Sequence, residues 1–224
     1  MITQIANALG SLKEKVVFVG GSAAELYADY PEITDIRPTI DVDCFLELHT
    51  YLNYSKLEEK LRSLGFKDDT SQGAPICRKI YNGIKVDFMP DDERVLGFSN
   101  RWYADGIKNK KENVLPNGTK IYILSVEYYL ATKFEAMNSR GGTDIRGSHD
   151  WEDIVYIMNN CAELVDAIKR CHNAQLAVYL QSQCFNLLQN RNIREIIYSS
   201  LPYHSEEENV DEIFQLIEQI SKSV

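Results

Sequence analysis

The residues with chemistry in them gather in three places. Asp41-Val42-Asp43 sets two carboxylates two positions apart, inside a stretch, 39–48, that reads as a strand. Side chains two apart on a strand project to the same side. Asp41 and Asp43 are therefore expected on one face, with Ile40, Val42 and Cys44 turned to the core. Two carboxylates on one rigid face suit a hard divalent cation such as magnesium. Taken alone the pair is commonplace, since a chain of this length carries about one Asp-x-Asp by chance at average composition. Asp87 adds a third acid, on Ile84-Lys85-Val86-Asp87-Phe88 just after Asn82-Gly83, the strongest short hairpin signal. Ile84, Val86 and Phe88 are expected inward, with Lys85 and Asp87 on the other side. On a neighbouring strand Asp87 would complete a carboxylate triad. Three carboxylates can hold two magnesium ions, which activate an attacking oxygen and stabilise a leaving phosphate.

Gly20-Gly21-Ser22 is the remaining place. It stops a short β-branched run, 16–19, and leads into 23–28, which has high helix propensity. Glycines let the backbone approach a phosphate, a helix N-terminus turns free N–H groups towards an anion, and Ser22 adds a hydroxyl donor. Gly-Gly is common in turns, so this signal is also weak alone. The Walker spacing Gly-x4-Gly-Lys-Ser/Thr is absent, and so is Gly-x-Gly-x-x-Gly.

The elements that must position these residues follow from periodicity and punctuation. Ser55-x-x-Glu58 predicts a capping box opening a helix with Leu57, Leu61 and Leu64, ended by Gly65. A hairpin is predicted over 78–89, and a turn at Pro116-Asn117-Gly118 leads into another strand. After Leu124 the pattern turns helical. Ser125 can cap a helix with Leu130, Phe134 and Met137 inward. A glycine loop follows at Gly141-Gly142, then a helix opened by Asp150 with Ile154, Val155 and Met158 inward. Further helices are expected over about 162–170, 174–189, 193–200 and 207–222. The expected fold class is α+β: an N-terminal α/β domain with a mixed sheet, residues 1–124, then a helical domain, residues 125–224.

In combination these signals are far more specific than apart. Strand, Gly-Gly-Ser, helix, then hydrophobic-Asp-hydrophobic-Asp, then a lone strand Asp, resembles the nucleotidyltransferase superfamily with the DNA polymerase β-like fold. The string Arg37-Pro38-Thr39-Ile40-Asp41-Val42-Asp43 is similar to the AbiEii-type nucleotidyltransferase family, toxins of type IV toxin–antitoxin and abortive-infection systems. That family also carries a helical Lys, an Arg one or two turns later and an Asp-x-x-Asp-hydrophobic signature. Lys133, Arg140, Asp150 and Asp153 stand at those places. His149 stands where the family usually has a basic residue, and the 141–148 loop is long. The resemblance covers roughly residues 15–160. It implies transfer of a nucleoside monophosphate from an NTP to an acceptor hydroxyl, with release of pyrophosphate. It implies magnesium as the cofactor, held by Asp41, Asp43 and Asp87, with Gly20, Gly21, Ser22 and Lys133 on the nucleotide and Asp150 orienting Lys133 or a metal-bound water. It implies the 3′ end of tRNA or another RNA as acceptor, and a cognate antitoxin as partner. The expected cleft lies between the two halves, with Lys133 facing Ser22. Read from the residues alone, Lys133 is a solvated helix lysine and Asp150 a helix N-cap. Two other functions stay open: a nucleotidyltransferase that modifies a small molecule or a protein, and a non-catalytic nucleotide- or RNA-binding regulator on the same fold.

The whole-chain quantities set bounds on this. The chain has 224 residues, 44% hydrophobic and 25% charged, with 24 basic and 33 acidic side chains, so a wholly basic nucleic-acid coat is excluded. Charge is uneven: 101–146 holds eight bases and five acids, and 202–224 six acids and one base. No apolar run approaches the roughly 20 residues of a membrane span, and the first ten residues lack a signal-peptide pattern. A cytoplasmic protein without membrane partners is expected. Five cysteines, none at Cys-x-x-Cys spacing, point to free thiols. His49, His172 and His204 have no metal-ligand spacing. Trp102 and Tyr103, beside Arg101, are read as packing residues before base-stacking ones.

Overall fold

The computed structural model describes residues 1–140, 145–203 and 205–222. The Gly141-Gly142 loop and His204 lie outside them. The fold is α+β, with a seven-stranded mixed sheet and helices. Packing divides the chain into two units: residues 1–23 with 38–125, and residues 24–37 with 126–224. The second unit thus takes a segment from within the stretch read as one N-terminal domain.

The first unit opens with helix α1 (Ile2–Leu9), whose Ile2, Ile5, Ala6 and Leu9 are buried at helical spacing. Strand β1 (Val17–Val19) is buried along its whole length, as β-branched residues in a central strand should be. Strand β2 (Asp41–Leu46) is followed by helix α2 (Tyr51–Ser63) and strand β3 (Lys67–Asp68). Strands β4 (Arg78–Tyr81) and β5 (Ile84–Pro90) form the expected hairpin, with Asn82 and Gly83 both at positive φ. Two single-turn helices, α3 (Glu93–Leu96) and α4 (Tyr103–Gly106), lead to β6 (Lys111–Val114) and β7 (Lys120–Ile123). The strand order is β3-β4-β5-β2-β1-β7-β6. β2 runs parallel to β5 and antiparallel to β1, while β1 runs parallel to β7. The core is Phe18, Val42, Cys44, Phe45, Val86 and Phe88, all fully buried.

Three expectations for the stretch 23–63 are corrected. Ile40 precedes the strand and is exposed rather than turned to the core. Thr50, not Ser55, caps α2: its hydroxyl accepts from the Asn53 N–H, and Ser55 sits in the second turn. Residues 23–28 form no α-helix. A 3-10 helix covers Gly21–Tyr27.

The second unit contains α5 (Val126–Ser139), α6 (His149–Asn160), α7 (Leu164–Lys169), α8 (Ala174–Leu188), α9 (Ile193–Ser200) and α10 (Glu207–Ser221). Residues 24–37 are fastened to it. Tyr27 lies tilted on Tyr129 with ring centroids 4.5 Å apart. Asp29 accepts from the Ala162 N–H at 2.8 Å, and Thr34 shares a 2.7 Å hydrogen bond with the Tyr156 hydroxyl. Ser148 rather than Asp150 caps α6, because the serine hydroxyl reaches the Trp151 N–H while Asp150 is turned to cationic side chains. The five cysteines are free, and no helix among the described residues is long and apolar enough to cross a membrane.

Candidate metal centre

Strand register builds the centre in the first unit. Parallel pairing of β2 with β5 sets Asp43 directly beside Asp87, and the period of two brings Asp41 to the same face as Asp43. Each of the three offers a carboxylate oxygen within 4.8 Å of the others. Asp41 and Asp43 are half-buried and Asp87 is buried. Three hard oxygen donors gathered from two rigid strands fit a small divalent cation, and nitrogen and sulfur ligands are absent from the group. Asp41, Asp43 and Asp87 would hold it.

Gly20 fits closely against this group. β1 pairs with β2 so that Val19 faces Asp43, and Gly20 follows with φ +71°. A Cβ on Gly20 would come within 1.9 Å of Asp43 Oδ2. Only a residue without a side chain satisfies both the backbone conformation and the room the carboxylate takes. Gly21 is buried in the following turn. Ser22 Oγ is buried without a hydrogen-bond partner among the described residues, so a hydroxyl donor stands uncommitted at the start of the 3-10 helix.

Arg78 belongs to the centre and was not foreseen. Its Nε donates to Asp87 Oδ1 at 2.8 Å and its Nη2 to Asp87 Oδ2 at 2.7 Å, a bidentate pair. Nη2 also lies 3.6 Å from Asp41 Oδ2. The signal was present: Arg78 stands four residues before Asn82 and Asp87 four after Gly83, so a two-residue turn must set them opposite each other, as the register does. The hydrogen bonds to Asp87, then its negative charge, hold the guanidinium even more firmly protonated than usual. The acids act on their neighbours too. Cys44 is raised well above an ordinary thiol by burial and then by Asp43 and Asp87. Cys77 is pushed up to about 12 by burial and then by Asp87. In both, the neutral thiol is favoured over the thiolate.

Lys133 and Asp150 come together in the second unit. Lys133 Nζ lies 2.6 Å from Asp153 Oδ2 and 3.5 Å from Asp150 Oδ1. Asp150 also accepts from Arg140 Nη1 at 2.5 Å. Arg37 reaches Asp153 and Glu152, each at 3.3 Å. Three cations therefore meet three carboxylates. Lys133 is buried, with 8% of its side chain exposed, which excludes the solvated-lysine reading. Asp153 also bears on Tyr129, whose hydroxyl is pushed up by burial first and then by that charge.

Trp102 and Tyr103 are buried. Tyr103 stacks on Phe45 at 4.2 Å with planes 7° apart, which bears out their packing role. Compared with known proteins, the chain matches no family model and no curated sequence, so the meaning of the centre rests on its own geometry.

Proposed function

We propose that the protein is a metal-dependent nucleotidyltransferase of AbiEii-like type, moving a nucleoside monophosphate from an NTP to an acceptor hydroxyl with release of pyrophosphate. The observation that carries this is the convergence of Asp41, Asp43 and Asp87, with Gly20 lying against Asp43. Magnesium, when bound, supplies charge neutralisation on the transferring phosphoryl group and lowers the pKa of the attacking hydroxyl. Asp41 and Asp43 hold it on a rigid strand, so little reorganisation is needed during reaction. Asp87 provides the third carboxylate once Arg78 gives up part of its hold. Gly20, Gly21 and Ser22 offer backbone N–H groups and a hydroxyl to phosphate oxygens. Lys133, with Asp150 and Asp153 fixing its ammonium, is assigned to the triphosphate. An RNA such as tRNA is the acceptor this reading favours, with a cognate antitoxin restraining the activity.

One observation favours a second reading, a nucleotide- or RNA-binding regulator without catalysis. Arg78 occupies both oxygens of Asp87, and Lys133 is already neutralised by two carboxylates. Asp43→Ala separates the two. It removes a metal ligand and relieves like-charge repulsion. The expected result is an equal or higher melting temperature without metal, and transfer of labelled NTP onto total RNA lowered by orders of magnitude. Wild-type protein that binds NTP with magnesium yet labels no acceptor would establish the regulator.

A further inference from the structure

A recessed surface in the first unit lies away from the carboxylates. A groove of about 700 Å³ is lined by Leu12, Leu46, Leu48, Leu57 and Ile107 together with Lys15, Lys56, Lys60, Lys108 and Lys110. Two acids, Glu14 and Glu47, also reach it. Five lysines against two glutamates is the reverse of the whole chain's balance, 24 basic to 33 acidic. On α2, Asn53, Lys56, Leu57 and Lys60 recur at helical spacing and share one face. Lys56 and Lys60 are exposed, as is Lys15, and none of the three makes an ion pair among the described residues. Lys108 is partly satisfied by Asp105, and Lys110 by the Glu14 carbonyl and the Tyr122 ring. The groove stands apart from the metal centre. Leu46 has the opposite strand parity to Asp41 and Asp43, and lies roughly 16 Å along β2 from Asp41 at about 3.3 Å per residue.

We infer that this groove docks an acidic amphipathic helix of a partner protein, its leucine-type face on the aliphatic floor and its carboxylates on the lysine rim. Charge complementarity selects an acidic partner. The floor selects what carries the charge. It holds no aromatic ring on which a base could stack, and the rim offers lysine point charges rather than the planar arginine forks suited to bidentate phosphate recognition. An amphipathic helix laid in an apolar groove uses both halves at once. The inference does not depend on the nucleotidyltransferase reading.

The test uses the full chain and a fluorescein-labelled 18-residue peptide of Glu and Leu. Its leucines are placed at i, i+3, i+4 and i+7. A scrambled peptide of the same composition and a 20-nucleotide single-stranded RNA serve as comparators, and anisotropy is the readout. The expected result is saturable binding at least tenfold tighter than the scramble. It should be weakened at least tenfold by the Lys56→Glu/Lys60→Glu double substitution, and also by Leu12→Gln, which alters a half-buried residue of an otherwise largely buried floor. Melting temperature and NTP transfer should be unchanged in the lysine variant. If that variant melts lower, Lys56→Gln/Lys60→Gln replaces it, with weakening of at least threefold expected. Equal binding of the scramble, binding indifferent to Lys56 and Lys60, or preference for the RNA through those lysines would each overturn the proposal.

Discussion

A methyl group on Gly20 would overlap the Asp43 carboxylate, and φ of +71° is itself strained for any side chain. Gly118 has a comparable φ of +82° but nothing within 4 Å of a Cβ. The pair separates backbone strain from damage to the centre. Gly118→Ala should cost about 1–2 kcal/mol and leave the rise in melting temperature expected on adding magnesium as large as in the wild type. Gly20→Ala should cost more and abolish that rise, because Asp43 must move; thermal melts with and without magnesium decide it. Arg78 predicts an effect of the opposite kind. Without metal it is the cation that, among the described residues, bridges Asp41 and Asp87. Arg78→Met should therefore melt lower in chelator and gain more from magnesium than the wild type. Equal gains would make Arg78 an ordinary surface bridge.

The elements record where periodicity speaks and where it is silent. The hairpin was legible because Asn82-Gly83 demands two positive φ values, and Asp41, Asp43 and Asp87 were legible because strand parity places them. The start of α2 was misread because Tyr51 and Leu52 are exposed, so no apolar spacing marks the first turn and Ser55-x-x-Glu58 offered a false start. Thr50→Ala should accordingly cost about 1 kcal/mol, whereas Ser55→Ala, inside the helix, should be neutral or slightly stabilising; urea titrations of the two variants check this. β6 escaped because Lys111-Glu112-Asn113-Val114 is an exposed edge without alternation. The apolar spacing at 2, 5, 6 and 9 marks α1. The pairing of Arg37 with Asp153 crosses 116 positions, and no local pattern encodes a contact of that span.

Across the whole molecule, buried thiols set a limit on stability in alkali. Cys77 and Cys184 are each pushed up to about 12 by burial, against about 9 for a free thiol. A folded-state pKa above the unfolded one gives stability that is complete below the unfolded value and is lost as pH rises. Melting temperature should therefore fall between pH 9 and 12. The fall should be shallower for a Cys77→Ala/Cys184→Ala variant, measured against its own value at pH 7. The division of the chain has a consequence of another kind, in time. Residues 24–37 belong with 126–224, yet they leave the ribosome about a hundred residues earlier. At ~5–20 residues per second, that is a wait of roughly 5–20 s. During it Tyr27 has no Tyr129 to lie on and Arg37 no Asp153 to neutralise it. The strands of the first unit are all synthesised by residue 123, so the sheet can close while this strip stays unpaired. The helical unit must then gather the strip from the early part of the chain before its own core is whole.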